Sequence, residues 1–199
     1  MIAHFKNTDS PSLSSVQLGM RTADCLTWVS IFELSNVHLV TFAHLGWRSF
    51  AKGLHFKILD TISSLVDFET WKGTAQHYLS PSIFGQSYPC HWNDVGRALE
   101  NLNAQRSKRV APVTGEVGSL AAWLATAQQL AGTDPINDRC HPDLQLLCLL
   151  DIVATGISPN RILVHRVNTA ESLVYPSYRT GLKKENSNTR RLLTLVHWK

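Results

Sequence analysis

The chain has no Cys-x-x-Cys pair, no apolar run of membrane length and no apolar stretch near its first residues. Each absence narrows the field. Four cysteines, Cys25, Cys90, Cys140 and Cys148, are too sparse in 199 residues for a disulfide scaffold. The stretch Met1 to Asp9 lacks the apolar core of a secretory signal. No segment reaches the roughly 20 apolar residues of a membrane helix. A reducing cytoplasm and no membrane partner are therefore the expectation. Charge is scarce too: 17% of residues are Asp, Glu, Lys or Arg, while 44% are hydrophobic. That balance supports a packed core and excludes the disordered class.

What charge there is leans positive, with a net +4. It gathers at Arg106, Lys108 and Arg109, and again at Arg179, Lys183, Lys184, Arg190 and Arg191. Such clusters attract phosphate. No nucleic-acid motif accompanies them, so they read as a solvated loop and a solvated tail, and nucleic acid is not an expected partner.

The length favours one domain over residues 1–199. Residues 1–22 read as loops with at most one short strand. Cys25 to Glu33 and Val37 to His44 are apolar and β-branched, and read as the two strands of a hairpin. Phe50, Leu54, Ile58, Ile62 and Leu65 are spaced for one face of a helix over 50–66. A strand is expected over 78–83 and helices over 94–103 and 120–130. Residues 142–155 form a further helix with Asp143 in its first turn and Gly156 at its end. Strands over 161–166 and 192–198 follow, with polar loops at 107–118 and 177–188. Strands and helices mix without strict βαβ alternation, which predicts an α+β fold.

Two segments stand out: Thr22-Ala23-Asp24-Cys25 and Ala43-His44-Leu45-Gly46-Trp47-Arg48. Cys25 begins one expected strand and His44 ends the next. In an antiparallel hairpin these positions lie at the same end. A thiol, an imidazole, a carboxylate (Asp24) and a guanidinium (Arg48) would then share one small region. Two chemistries stay open. Cys25 and His44 can act as nucleophile and base, or as two zinc ligands with room for a third and a water. Taken alone, Cys25 also reads as a small core residue.

These segments resemble the family of laccase-domain proteins once described as multicopper polyphenol oxidoreductases and now regarded as zinc-dependent purine nucleoside phosphorylases with adenosine deaminase side activity. Ser80-Pro81-Ser82-Ile83, Asp94-Val95-Gly96, Asp143-Leu144, Ser177-Tyr178-Arg179 and Thr189-Arg190 continue the resemblance in order. The resemblance implies a single α+β domain with mixed β-sheets sandwiched between helices. It implies zinc held by one Cys and two His, with Cys25 and His44 as two of the ligands. It makes Asp24 an acid–base candidate and gives Arg48 phosphate or developing negative charge. Trp47, Tyr178 and Arg179 would line the substrate pocket. The implied substrates are a purine nucleoside and phosphate, for phosphorolysis or for adenosine deamination.

The pattern departs from the family in places. The Gln-Val-His-Gly segment that carries the remaining zinc histidine is missing, so residues 1–21 read as a shortened N-terminal segment, and His4 is the upstream candidate for the third ligand. Asn168-Thr169, Pro176 and Thr180 replace family residues, and Cys90 and His91 fall where the family often has cysteines and an aromatic. Two alternatives follow from these departures: a metal-free Cys–His hydrolase or deamidase, and a non-catalytic binding member. The oxidase label fits less well, because no second histidine cluster offers further copper sites.

Overall fold

The computed structural model describes residues 2–6, 16–34, 37–109, 120–181 and 191–198. Strands β1 (Ile2–Lys6), β2 (Val16–Thr22), β3 (Leu26–Leu34) and β4 (Val37–Leu45) come first. They are followed by helices α1 (Trp47–Ala51), α2 (Leu54–Leu65) and α3 (Phe68–Thr74), then β5 (Gln76–Leu79) and β6 (Cys90–His91). Helices α4 (Arg97–Lys108) and α5 (Leu120–Ala131) precede the short strands β7 (Thr133–Asp134) and β8 (Arg139–Cys140). Helix α6 (Leu144–Ala154), β9 (Ile162–Val164), α7 (Tyr178–Gly181) and β10 (Leu192–Trp198) complete the order. The fold is α+β, as the sequence predicts.

The main sheet runs β1-β4-β3-β5-β9, antiparallel except for the β5–β9 pair. Strand alternation sorts its side chains. Leu26, Trp28 and Phe32 of β3, with Leu39, Ala43 and Leu45 of β4, join the helices in one buried cluster. Val29, Val40 and Phe42 face the other way and pack against Leu18, Met20 and Val196 of the β2–β10 ribbon. His44 shares the parity of Val40 and Phe42, so it lies on the ribbon side. Burying each large core side chain contributes roughly 1.5–3 kcal/mol.

The expected hairpin of β3 and β4 is present, with Thr27 opposite His44. The expected helix over 50–66 is broken. Gly53 takes φ 71°, and an added Cβ there would meet Gln105 Oε1 at 2.1 Å. The periodicity continues across the break because α1 and α2 both pack on the sheet, although Leu65 ends up exposed. The expected strand over 78–83 is short: it ends at Leu79, and beyond it the Ser80 N–H donates to the Thr27 carbonyl at 3.0 Å and Ser82 forms an isolated bridge to Asn168. Helix α4 begins through a wide turn over Trp92–Gly96, where a Cβ on Gly96 would collide with the Trp92 ring at 2.5 Å. Asp143 sits one position outside α6 and caps it, accepting from the Leu146 N–H at 3.0 Å.

The first basic cluster is not a solvated loop. Arg106 lies on α4 and is 1% exposed. It donates to both Asp151 carboxylate oxygens at 2.8 and 2.9 Å. Trp123 Nε1 and His55 Nε2 complete the contacts to Asp151, each at 2.9 Å. One buried carboxylate thus ties α2, α4, α5 and α6 together. Arg109 pairs with Asp60 and lies over the Phe56 ring at 4.5 Å. Arg106 and Arg109 thus hold α4 against its neighbours, where the sequence predicts a solvated loop; Lys108 is exposed. Among the described residues no helix is long and apolar enough to cross a membrane.

Candidate active site at the start of β3 and the end of β4

Asp24 leaves β2 in the left-handed region, φ 67°, a conformation that Asp adopts more readily than most residues. This bend turns Cys25 toward the end of β4. The Cys25 sulfur is half-buried against Gly46, where a Cβ would sit 3.3 Å from it. His44, two residues before Gly46, is exposed. The structure therefore brings Cys25 and His44 to one end of the sheet, as the hairpin register requires.

The bend is held from far along the chain. Asp24 Oδ1 accepts from the Thr169 hydroxyl at 2.7 Å, and Oδ2 accepts from the Arg179 backbone N–H at 2.9 Å. The Asp24 carbonyl accepts from Ile83 N–H at 2.9 Å. Both carboxylate oxygens are engaged, so the carboxylate is placed to hold the loop. Arg179 reaches past the site. Its guanidinium donates to the Pro89 carbonyl at 2.8 Å and lies 4.6 Å from the Tyr88 ring. Its side chain secures the Tyr88–Cys90 segment and its backbone secures Asp24.

Arg191 is the residue that the sequence reading missed. It immediately precedes β10, whose Leu192 pairs with Thr22. That register carries Arg191 to the Cys25 end of the ribbon, 5.7 Å from the Tyr178 ring. Its charge is felt by both reactive groups. Burial pushes the Cys25 thiol up, Asp24 pushes it the same way, and Arg191 pulls it down. Partial loss of solvent around the imidazole lowers His44, exposed though the residue is, and Arg191 lowers it further, so His44 is neutral near pH 7. Arg191 looked like part of a solvated tail because only strand pairing reveals its neighbours.

Trp47 and Arg48 open α1 directly after Gly46. The Arg48 guanidinium lies 4.9 Å from the Trp47 ring. With Ala51, Lys52, Ala98 and Asn101 they line a cleft of about 430 Å³. Its lining thus carries two cations, Arg48 and Lys52, and the Trp47 ring.

His4 is not brought beside this pair by the strand register. It faces Leu39 in the β1–β4 ladder, five residues along β4 from His44. Five residues of strand span roughly 17 Å. The His4 side chain itself lies outside the described residues. Among the described residues no group of three His, Cys, Asp or Glu is arranged to hold a metal ion.

Solved structures share this architecture. The Bacillus licheniformis hypothetical protein YfiH superposes with a TM-score of 0.66 at 18% identity, over 100% of this chain and 61% of that one. YlmD from Geobacillus stearothermophilus gives 0.57 at 20% identity, over 90% and 56%. A Neisseria meningitidis protein gives 0.55 at 19% identity, over 92% and 60%. The chain thus spans about three-fifths of the length of these proteins, and the likeness establishes the shared fold. A search of curated proteins finds no match. The family model for the multi-copper polyphenol oxidoreductase laccase matches residues 8–199. Nearly the whole chain is covered by that match, and the chain belongs to this family.

Proposed function

We propose that the Cys25–His44 site acts on purine nucleosides, cleaving adenosine or inosine by phosphorolysis, with adenosine deamination as a second reaction of the same pocket. The observation that carries the reading is the convergence of a thiol, a neutral imidazole and the Arg191 cation at one sheet end, next to Arg48. In phosphorolysis a phosphate oxygen attacks the ribose C1′ and the bond from C1′ to the purine nitrogen breaks. Arg48 and Arg191 hold the phosphate and offset its charge as it approaches. Trp47 offers an aromatic face to the base. Tyr178 lies beside Arg191, its ring 5.7 Å from the guanidinium. Asp24 is a positioning residue, with Thr169 and Arg179 occupying its oxygens. Arg179 in turn is spent on Asp24, Pro89 and Tyr88, so its part in substrate binding is indirect.

Zinc fits Cys25 and His44 in kind, since a thiol and a neutral imidazole are its usual donors. A further protein ligand would come from side chains outside those described. When bound, the ion polarises a substrate oxygen or acidifies a water. A cation at Cys25 also offsets the effect of burial and Asp24 on that thiol. The metal-free hydrolase reading has less support, because a thiol raised by burial and by an adjacent carboxylate is a weak nucleophile.

The test is metal content together with phosphate-dependent release of hypoxanthine from inosine, for the unsubstituted protein and for Cys25→Ser, His44→Ala and His4→Ala. Near-stoichiometric zinc and turnover, both lost in Cys25→Ser and His44→Ala, are expected. His4→Ala should keep both, because the β1–β4 register sets His4 opposite Leu39, roughly 17 Å along β4 from His44. A folded protein with neither zinc nor turnover would sink the proposal.

A further inference from the structure

We propose that Cys90 and Cys140 are a dithiol that closes to a disulfide by exchange with a low-molecular-weight disulfide such as oxidised glutathione. The two residues are direct partners in the antiparallel β6–β8 pair. Their Cα atoms are therefore roughly 4.5–5.5 Å apart, inside the ~4.4–6.8 Å that a disulfide spans. Directly opposed side chains share a face; in the reduced protein the Cys90 thiol donates to the Tyr88 carbonyl at 3.5 Å and the Cys140 thiol to the His91 carbonyl at 3.7 Å. Both cysteines are free.

Their surroundings differ in a way that fixes the order of events. Cys90 is half-buried and lines a cleft of about 560 Å³ with Pro89, His91, Asp138, Arg139 and His141. Cys140 is fully buried behind it. The Arg179 Nη2 lies 3.9 Å from the Cys90 sulfur. Arg139 and Arg179 set positive charge beside the cleft against the one carboxylate of its lining, Asp138, which suits a reagent carrying carboxylates. Cys90 is thus the sulfur that a small disulfide can reach.

The exchange runs in two steps. The Cys90 thiolate attacks one sulfur of the reagent; a mixed disulfide forms, the reagent S–S bond breaks and one thiolate leaves. The Cys140 thiolate then attacks the Cys90 sulfur and expels the second reagent thiolate. Two protein sulfurs are oxidised and two reagent sulfurs reduced. The two protons lost by the protein thiols end on the two departing thiolates. Burial raises both protein thiols, Cys140 to about 12, and Arg179 opposes this at Cys90. The first step is accordingly slow near neutral pH and faster in mild base. Negative charge on Cys90 is the second cause that raises Cys140, and the mixed disulfide removes it. The first step thereby prepares the second.

The test is to incubate the native, reduced protein with oxidised glutathione at mildly alkaline pH, quench it in acid, digest it without reduction and map it by mass spectrometry. The expected product is a Cys90–Cys140 linked peptide pair, two hydrogens lighter than the free peptides. In Cys140→Ser the expected product is one glutathione held on Cys90. The unsubstituted protein decides the matter even if that variant fails to fold. A glutathione that persists on Cys90 without a link to Cys140, a link to another cysteine, or an unreacted Cys90 each overturns the proposal.

Discussion

The Cys25 sulfur and Gly46 are in van der Waals reach: an added Cβ on Gly46 would stand 3.3 Å from Sγ. The Gly46 backbone has φ −72° and ψ 163°, which alanine adopts without strain. Gly46→Ala therefore crowds the sulfur and little else. We expect Cys25 to react several-fold more slowly with iodoacetamide, with a stability loss below about 1 kcal/mol. Timed alkylation followed by peptide mapping reads the first quantity and urea unfolding the second. An unchanged alkylation rate would mean that the sulfur is not held against Gly46.

Asp24 couples an unusual backbone to two hydrogen bonds. Asp24→Ala loses both bonds and keeps a left-handed residue with no polar side chain. The expected cost is about 2–4 kcal/mol, from the lost bonds and the strained conformation. Asp24→Asn tolerates the backbone and retains one acceptor, so it should cost less. Equal losses in the two variants, measured by urea unfolding, would contradict this account.

The buried Asp151 network predicts a steep penalty for removing its anion. Asp151→Ala leaves Arg106 buried without its partner, at about 3–5 kcal/mol. Replacing Arg106 by Met in that background should recover part of the loss, because it removes the orphaned charge. A double variant as unstable as Asp151→Ala alone would show that the charge is not the problem.

Acid should destabilise the fold in a defined window. His77 accepts from Trp28 Nε1 at 3.3 Å and is lowered from 6.5 to about 4, chiefly by burial and then by Arg161. His55 is lowered as well, by burial. Both folded values lie below the unfolded ones, so the stability is fully present above about pH 6.5. It is lost as pH falls toward the folded values. For His77 this amounts to roughly 3 kcal/mol by pH 4. His77→Gln keeps an acceptor without a titrating ring and should flatten this slope. A slope unchanged by the substitution would assign it elsewhere.

Arg191 should contribute to the protonation of His44. Partial burial lowers the imidazole and the guanidinium lowers it further, so Arg191→Gln should move its titration to higher pH. NMR titration of the His44 ring reads this directly. A shift to lower pH, or none, would remove Arg191 from the site.

Much of the site was legible because it depends on short-range order. The hairpin that joins Cys25 to His44 follows from two apolar, β-branched runs and the turn between them. Trp47 and Arg48 follow from adjacency to Gly46. The illegible parts depend on distant pairing. Arg106 and Arg191 carry the same charge in similar polar contexts, yet one is buried on Asp151 and the other stands beside Cys25. Nothing local separates them. The helix break at Gly53 was also hidden, since hydrophobic spacing continued across it.

The bend at Asp24 has a consequence for synthesis. Its two carboxylate partners lie 145 and 155 residues downstream. Closing so long a loop is entropically costly, and contacts of this separation form late. As the chain emerges from the ribosome, β3 and β4 can pair early, but the Cys25 loop must wait for Thr169 and Arg179. The nascent protein therefore displays the Cys25 thiol in an unfinished setting until late in translation.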